Sequence, residues 1–107
     1  MKKESKFQGE LIKELKTRFP GCIVLKNDPD YIQGIPDLTI IYDNMWATLE
    51  CKRSSSASKR PNQEYYVERM NNMSFSRFID PFNKEEVLNE LQQAFRFRRM
   101  SRLSVSK

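Results

Sequence analysis

The sequence predicts an α/β fold, a mixed sheet of about four strands flanked by helices in the order α-β-β-β-α-β-α. Three observations predict it. Apolar residues recur at helical spacing at the start of the chain and again beyond residue 83. Between residues 22 and 52 that pattern gives way to short apolar runs with β-branched and aromatic residues, and Pro, Gly, Asn and Asp stand where one pattern replaces the other. Finally, 107 residues with 38% hydrophobic content can bury one modest core and not two. We therefore expect a single domain over residues 1–107, ending in a basic, flexible tail from about residue 97.

The first helix is read from Phe7, Leu11, Leu15 and Phe19, with Ile12 beside them, over about Glu4 to Phe19; Pro20-Gly21 ends it. Cys22 to Leu25 is a short strand, and the polar stretch from Lys26 to Gly34 is a loop. Pro36 to Tyr42 is an apolar, β-branched run of the kind that forms a strand covered on both faces. Asp43-Asn44 turns it back into Trp46 to Lys52, its hairpin partner. Arg53 to Arg60 is rich in serine and basic residues and reads as a mobile loop. Pro61-Asn62 opens a second helix reaching about Asn72, because proline in the first turn gives up no amide hydrogen the helix needs. Phe75 to Ile79 is the fourth strand. Asn83, with Glu86 three residues on, starts a helix whose buried face is Val87, Leu88, Leu91, Ala94 and Phe95.

Composition narrows the chemistry. Nineteen basic residues against 14 acidic ones give a net charge of +5, which favours a polyanionic partner. With no histidine in the chain, a Ser-His-Asp triad, a histidine-dependent nuclease and a His-ligated zinc are excluded. The two cysteines, Cys22 and Cys51, suggest neither a disulfide framework nor a zinc knuckle, so a reducing, cytoplasmic setting is expected. No apolar run is long enough to span a bilayer, and the charged start lacks a signal-peptide core, so no membrane association is expected.

The sharpest signal lies in the hairpin. Asp37 begins one strand, while Glu50 and Lys52 lie near the end of the next. Alternation along that strand puts Trp46, Thr48, Glu50 and Lys52 on one face and Ala47, Leu49 and Cys51 on the other, so the Cys51 side chain belongs to the core. Mg²⁺ takes hard oxygen ligands and retains waters. Asp37, Glu50 and a backbone carbonyl, that of Cys51, suit such an ion, and Lys52 is placed to orient water or stabilise developing negative charge. The reaction expected from this set is phosphodiester hydrolysis. An isolated Glu-x-Lys on a strand is most often a solvated pair; its coupling to Gly-x-Pro-Asp across a hairpin is what makes the catalytic reading preferable.

Gly34-Ile35-Pro36-Asp37-Leu38 and Glu50-Cys51-Lys52 resemble the PD-(D/E)xK nuclease signature, and more narrowly the stand-alone, virus-type VRR-NUC nucleases. Glu4-Ser5-Lys6-Phe7-Gln8 is similar to that family's opening. Gln63 stands where the family carries a helix glutamine, and Phe78-Ile79-Asp80-Pro81 with its helix resembles the last strand and helix. The resemblance covers residues 4 to 95. The chain departs from the pattern at Asn71-Asn72-Met73-Ser74-Phe75, where a glycine is expected, and in the basic extension after Phe95.

The resemblance implies a restriction-endonuclease-like fold and a Mg²⁺- or Mn²⁺-dependent DNA endonuclease without an organic cofactor. It also implies a homodimer acting on Holliday junctions or other branched DNA, with Gln63 joining Asp37, Glu50 and Lys52 in catalysis. Small size suggests a phage or other mobile element acting in a host cell. On a helical wheel Glu4 and Gln8 share the arc of Leu11 and Leu15, while Glu10 and Glu14 fall outside it or at its rim, so Glu4 is the expected additional acidic ligand. Lys26, Arg53, Lys59, Arg60, Arg96, Arg98 and Arg99 are the expected DNA contacts. Trp46, Tyr65, Tyr66, Phe75 and Phe78 sit in periodic elements and are expected in the core or an interface rather than as stacking platforms. The competing functions are a non-specific or nicking nuclease of the same chemistry, and a non-catalytic nuclease-fold module that binds DNA or protein, such as a viral inhibitor. The second would carry a broken motif.

Overall fold

Seven elements follow the predicted order: α1 (Lys2–Arg18), β1 (Ile23–Lys26), β2 (Leu38–Tyr42), β3 (Met45–Cys51), α2 (Pro61–Met73), β4 (Ser76–Ile79) and α3 (Lys84–Val105). The computed structural model describes the backbone of residues 2–105 and the side chains of residues 5–101; the side chain of Glu4, the expected additional ligand, lies outside them. The four strands form one sheet in the order β1-β2-β3-β4. The first three are antiparallel, whereas β4 runs parallel to β3, as a crossover through α2 requires. This is the α/β fold with a mixed sheet that the sequence predicts.

Strand register decides what each face carries. Leu38 pairs with Leu49 and Ile40 with Ala47, so these four side chains point to one side, where α1 and α3 lie. There Phe7, Leu11, Leu15 and Phe19 of α1 meet Val87, Leu88, Leu91 and Phe95 of α3 over the sheet, and Leu11, Leu15, Leu88 and Leu91 are fully buried. Replacing one such leucine with alanine typically costs about 2–5 kcal/mol. Cys51 is buried in this core, as alternation along its strand requires.

α2 covers the opposite face, but only over β3 and β4. Thr39 and Ile41 of β2 are therefore half-buried rather than enclosed, and Ile23 and Leu25 of β1 are 56% and 45% exposed. The expectation that β2 is covered on both faces holds on the α1/α3 side alone, because three helices do not suffice for both faces of four strands. Asp43-Asn44 joins β2 to β3 as a two-residue turn, with Asp43 at φ 61°, a left-handed conformation that aspartate tolerates.

α3 differs from the expected frayed end. It continues past Phe97 to Val105, since arginine, methionine and leucine there are good helix formers and no glycine or proline interrupts them. Its start also differs in detail. Asp80 Oδ1 accepts the Phe82 and Asn83 amides at 2.7 and 2.9 Å, while Asn83 Oδ1 turns back to the Asp80 amide at 2.8 Å. No described helix is long and apolar enough to cross a membrane.

Candidate active site

Because Leu38 pairs with Leu49, continuing the register by one step sets Asp37 opposite Glu50, on the face away from the main core. The backbone at Asp37 is held by Asn27. The Asn27 amide donates to the Asp37 carbonyl at 2.8 Å, and its side-chain nitrogen donates to the Pro36 carbonyl at 2.9 Å and to Thr39 Oγ1 at 2.8 Å. The Asp37 carboxylate accepts the Cys51 amide at 2.8 Å, which locks it to the end of β3. Gly34 explains why the motif begins with glycine. Its φ of 92° suits residues without a Cβ, and a Cβ there would come within 2.9 Å of Asn62, so the loop before Asp37 docks directly on the start of α2.

Glu50 and Lys52 are only 3% and 9% exposed, and burying two charges at this depth requires compensation. Gln63 in the first turn of α2 supplies it. Its Nε2 donates to Glu50 Oε2 at 3.0 Å, its Oε1 accepts Lys52 Nζ at 2.7 Å, and Lys52 Nζ lies 3.8 Å from Glu50 Oε2. The same Oε1 accepts the Arg60 amide at 3.1 Å, so Gln63 also satisfies an open amide at the start of α2. Helix end and charged pair are thus fixed by one side chain.

Beside this pair, Lys52, Arg53, Ala57, Ser58, Arg60 and Gln63 line a polar cavity of about 380 Å³. Lys59 sits over the Phe78 ring, 4.8 Å from its centre, and Lys26 ends β1 at the same end of the sheet. The other expected DNA contacts lie at the opposite end of the strands. Arg98 donates to Ser74 Oγ, Arg99 reaches Asp43 at 3.5 Å and stacks over Tyr42, and Arg96 lines a separate cavity of about 230 Å³ with Arg18, Phe19 and Tyr42. The structure therefore brings Asp37, Glu50, Lys52, Gln63, Lys26, Arg53, Lys59 and Arg60 to one end and leaves Arg96, Arg98 and Arg99 at the other.

Among the described residues no three Asp, Glu or Cys side chains cluster in a way that could hold a metal ion. Two carboxylates on paired strands, with the Cys51 thiol turned into the core, make a hard-oxygen donor set without sulfur or imidazole. That set suits a hydrated Mg²⁺ or Mn²⁺, which one or two carboxylates suffice to hold, and lacks the thiolate and imidazole ligands that zinc sites favour.

No family model matches the chain, and no curated protein does. A solved structure described as a VRR_NUC domain protein is similar to it, with a TM-score of 0.62 over 88% of each chain at 15% identity. The chain has a VRR-NUC-type fold. Within this VRR-NUC-type fold the Gly34-to-Leu38 segment leads into β2 and the Glu50-to-Lys52 segment closes β3, its hydrogen-bonded neighbour. Two residues of the site carry no signal in the sequence. Asn27 stands in a polar stretch where every residue reads as loop, and Phe78 reads as an ordinary strand aromatic, although its register partner is Glu50. Phe75 is buried as expected of a core aromatic, and Trp46, Tyr66 and Phe78 are half-buried. Tyr65 is 54% exposed and packs edge-on against Tyr66, because it lies on the outer side of α2.

Proposed function

We propose that this protein is a Mg²⁺- or Mn²⁺-dependent DNA endonuclease that hydrolyses phosphodiester bonds and selects branched DNA. The observation that carries the reading is the Gln63 bridge between buried Glu50 and Lys52 beside Asp37. A buried ion pair costs desolvation, and a hydrophobic pair of similar volume would stabilise the fold as well or better. Its presence at the mouth of a cationic cavity is better accounted for by chemistry than by folding.

Asp37, Glu50 and the Cys51 backbone carbonyl would hold the metal, with Glu4 as the further acidic ligand. When bound, the metal supplies charge neutralisation at the attacked phosphate and lowers the pKa of water. The chain's own groups do the rest. Lys52, held by Gln63 in a largely dry setting, stabilises the negative charge that develops on phosphate oxygen. Arg53, Lys59, Arg60 and Lys26 bind neighbouring phosphates and fix the strand relative to the carboxylates.

Selection of branched DNA is supported by the small surface available for reading bases and by the cationic groups at both ends of the sheet. One arm would lie at the carboxylates, and a second would meet Arg96, Arg98 and Arg99. A homodimer is supported by the exposed β1 edge with Ile23 and Leu25 beside it. Manganese titration followed by electron paramagnetic resonance, run alongside DNA cleavage, tests the core of the reading. The parent protein is expected to bind the ion and cleave, and folded Asp37→Ala to lose both. Undiminished cleavage in that variant would remove Asp37 from the site.

A further inference from the structure

Phe78 is the β4 residue paired with Glu50, and its half-buried ring lies beside the carboxylate on the α2 side of the sheet. Two ammonium groups approach that ring. Lys52 Nζ is 5.9 Å and Lys59 Nζ 4.8 Å from its centre, both within the reach of a cation–π attraction. Like charges brought near one another repel, and an apolar wall of other chemistry would not offset this. The electron-rich face of an aromatic ring does.

The contact also has consequences for the loop. Among the described residues the hydrogen bonds formed by residues 53–59 stay inside the loop: the Ala57 amide to the Ser54 carbonyl at 3.3 Å, and the two hydroxyls of Ser54 and Ser56 at 3.3 Å. No ion pair joins this loop to the sheet among the described residues. Among the described residues, Lys59 on Phe78 is the polar or cation–ring contact that ties residues 53–59 to the sheet. The loop supplies Arg53, Ala57 and Ser58 to the cavity wall beside Lys52, so whatever fixes the loop fixes the cavity.

We propose that Phe78 is a positioning residue: its ring anchors Lys59, and with it residues 53–59, beside Lys52, so that the cavity is preformed for a DNA phosphate next to the carboxylates. The inference rests on the DNA-binding reading of the site but not on cleavage. A Leu or Met at position 78 would fill the space and lose the attraction, yet it also changes shape.

The decisive experiment therefore replaces Phe78 with mono-, di- and trifluorinated phenylalanine, which keep the ring's shape while draining electron density from its face. DNA affinity and hydrogen exchange of the 53–59 amides are the readouts, and the series is repeated in Lys59→Met. The expected result is stepwise weakening of DNA binding, reaching about threefold to tenfold for the trifluoro ring, with faster loop exchange, and a response at least halved in Lys59→Met. A flat series in the parent, or an undiminished response in Lys59→Met, overturns the proposal. A protein that binds DNA with the expected fluorine dependence but cuts nothing would overturn the proposed function alone. A protein that cuts with a flat series would overturn this inference alone.

Discussion

Gln63 carries three contacts at once: to Glu50, to Lys52 and to the Arg60 amide. Its loss should therefore register in both catalysis and stability. Gln63→Ala is expected to lower kcat for DNA cleavage about tenfold to a hundredfold, as removal of a group that orients an active-site ligand commonly does, and to reduce stability by about 1 kcal/mol through the lost amide contact. Steady-state cleavage and urea unfolding measure the two separately. A change in stability with unaltered kcat would reduce Gln63 to a helix-end residue. That Asp37, Glu50 and Lys52 come together was legible in the sequence, because strand alternation and the short hairpin place them at one end of paired strands. Asn27 and Phe78 were not. Their roles arise from hydrogen bonds and ring contacts to residues distant in sequence, and neither residue type is unusual where it stands.

At the level of elements, α1 and α3 are joined over the core by charged contacts at their rims. Lys84 Nζ lies 2.8 Å from Glu14 Oε1, and Arg18 reaches Glu14 at 3.6 Å and Glu85 at 3.2 Å. The hydrogen bond from Lys84 holds the Glu14 carboxyl below its ordinary value of 4.5, and the same bond holds the Lys84 ammonium above 10.5. A lowered carboxyl contributes stability above its unfolded value and loses it as pH falls through the folded value. A raised ammonium contributes below its unfolded value and loses it as pH rises through the folded value. The pair's contribution is thus complete between pH 4.5 and 10.5 and is lost progressively as pH falls below 4.5 toward the lowered carboxyl value or rises above 10.5 toward the raised ammonium value. Both side chains are partly solvated, so the contribution is under about 1 kcal/mol. Chemical denaturation across pH checks this: Glu14→Gln should flatten the acid limb, and an unchanged acid limb would show that the pair contributes nothing. The order and type of the elements were readable from periodicity. The end of α3 was not, because arginine-rich sequence suits an exposed helix and a frayed tail equally, and its ties to Ser74 and Asp43 depend on tertiary placement.

Across the whole molecule, the carboxylates occupy one end of the sheet and the α3 arginines the other, separated by the length of β3, roughly 20 Å at about 3.3 Å per residue. This separation gives the proposed preference for branched DNA a physical form. Removing Arg96 and Arg99 together should weaken binding to a four-way junction more than to a linear duplex of equal length, and should lower the salt dependence of junction binding by about one to two phosphate contacts. Equal weakening for both DNA forms would mean that the far end does not engage a second arm. Net charge indicated a polyanionic partner, but only the folded chain separates the basic residues into two groups.

The most direct test is cleavage of labelled four-way junction, flap, linear duplex and single-stranded DNA with Mg²⁺ or Mn²⁺, beside Asp37→Ala and Glu50→Ala. Metal-dependent cleavage is expected, greatest on the junction and lost in both folded variants. A folded, metal-saturated protein that cuts none of the four would contradict the proposed function, and would leave a nuclease fold that binds without cutting.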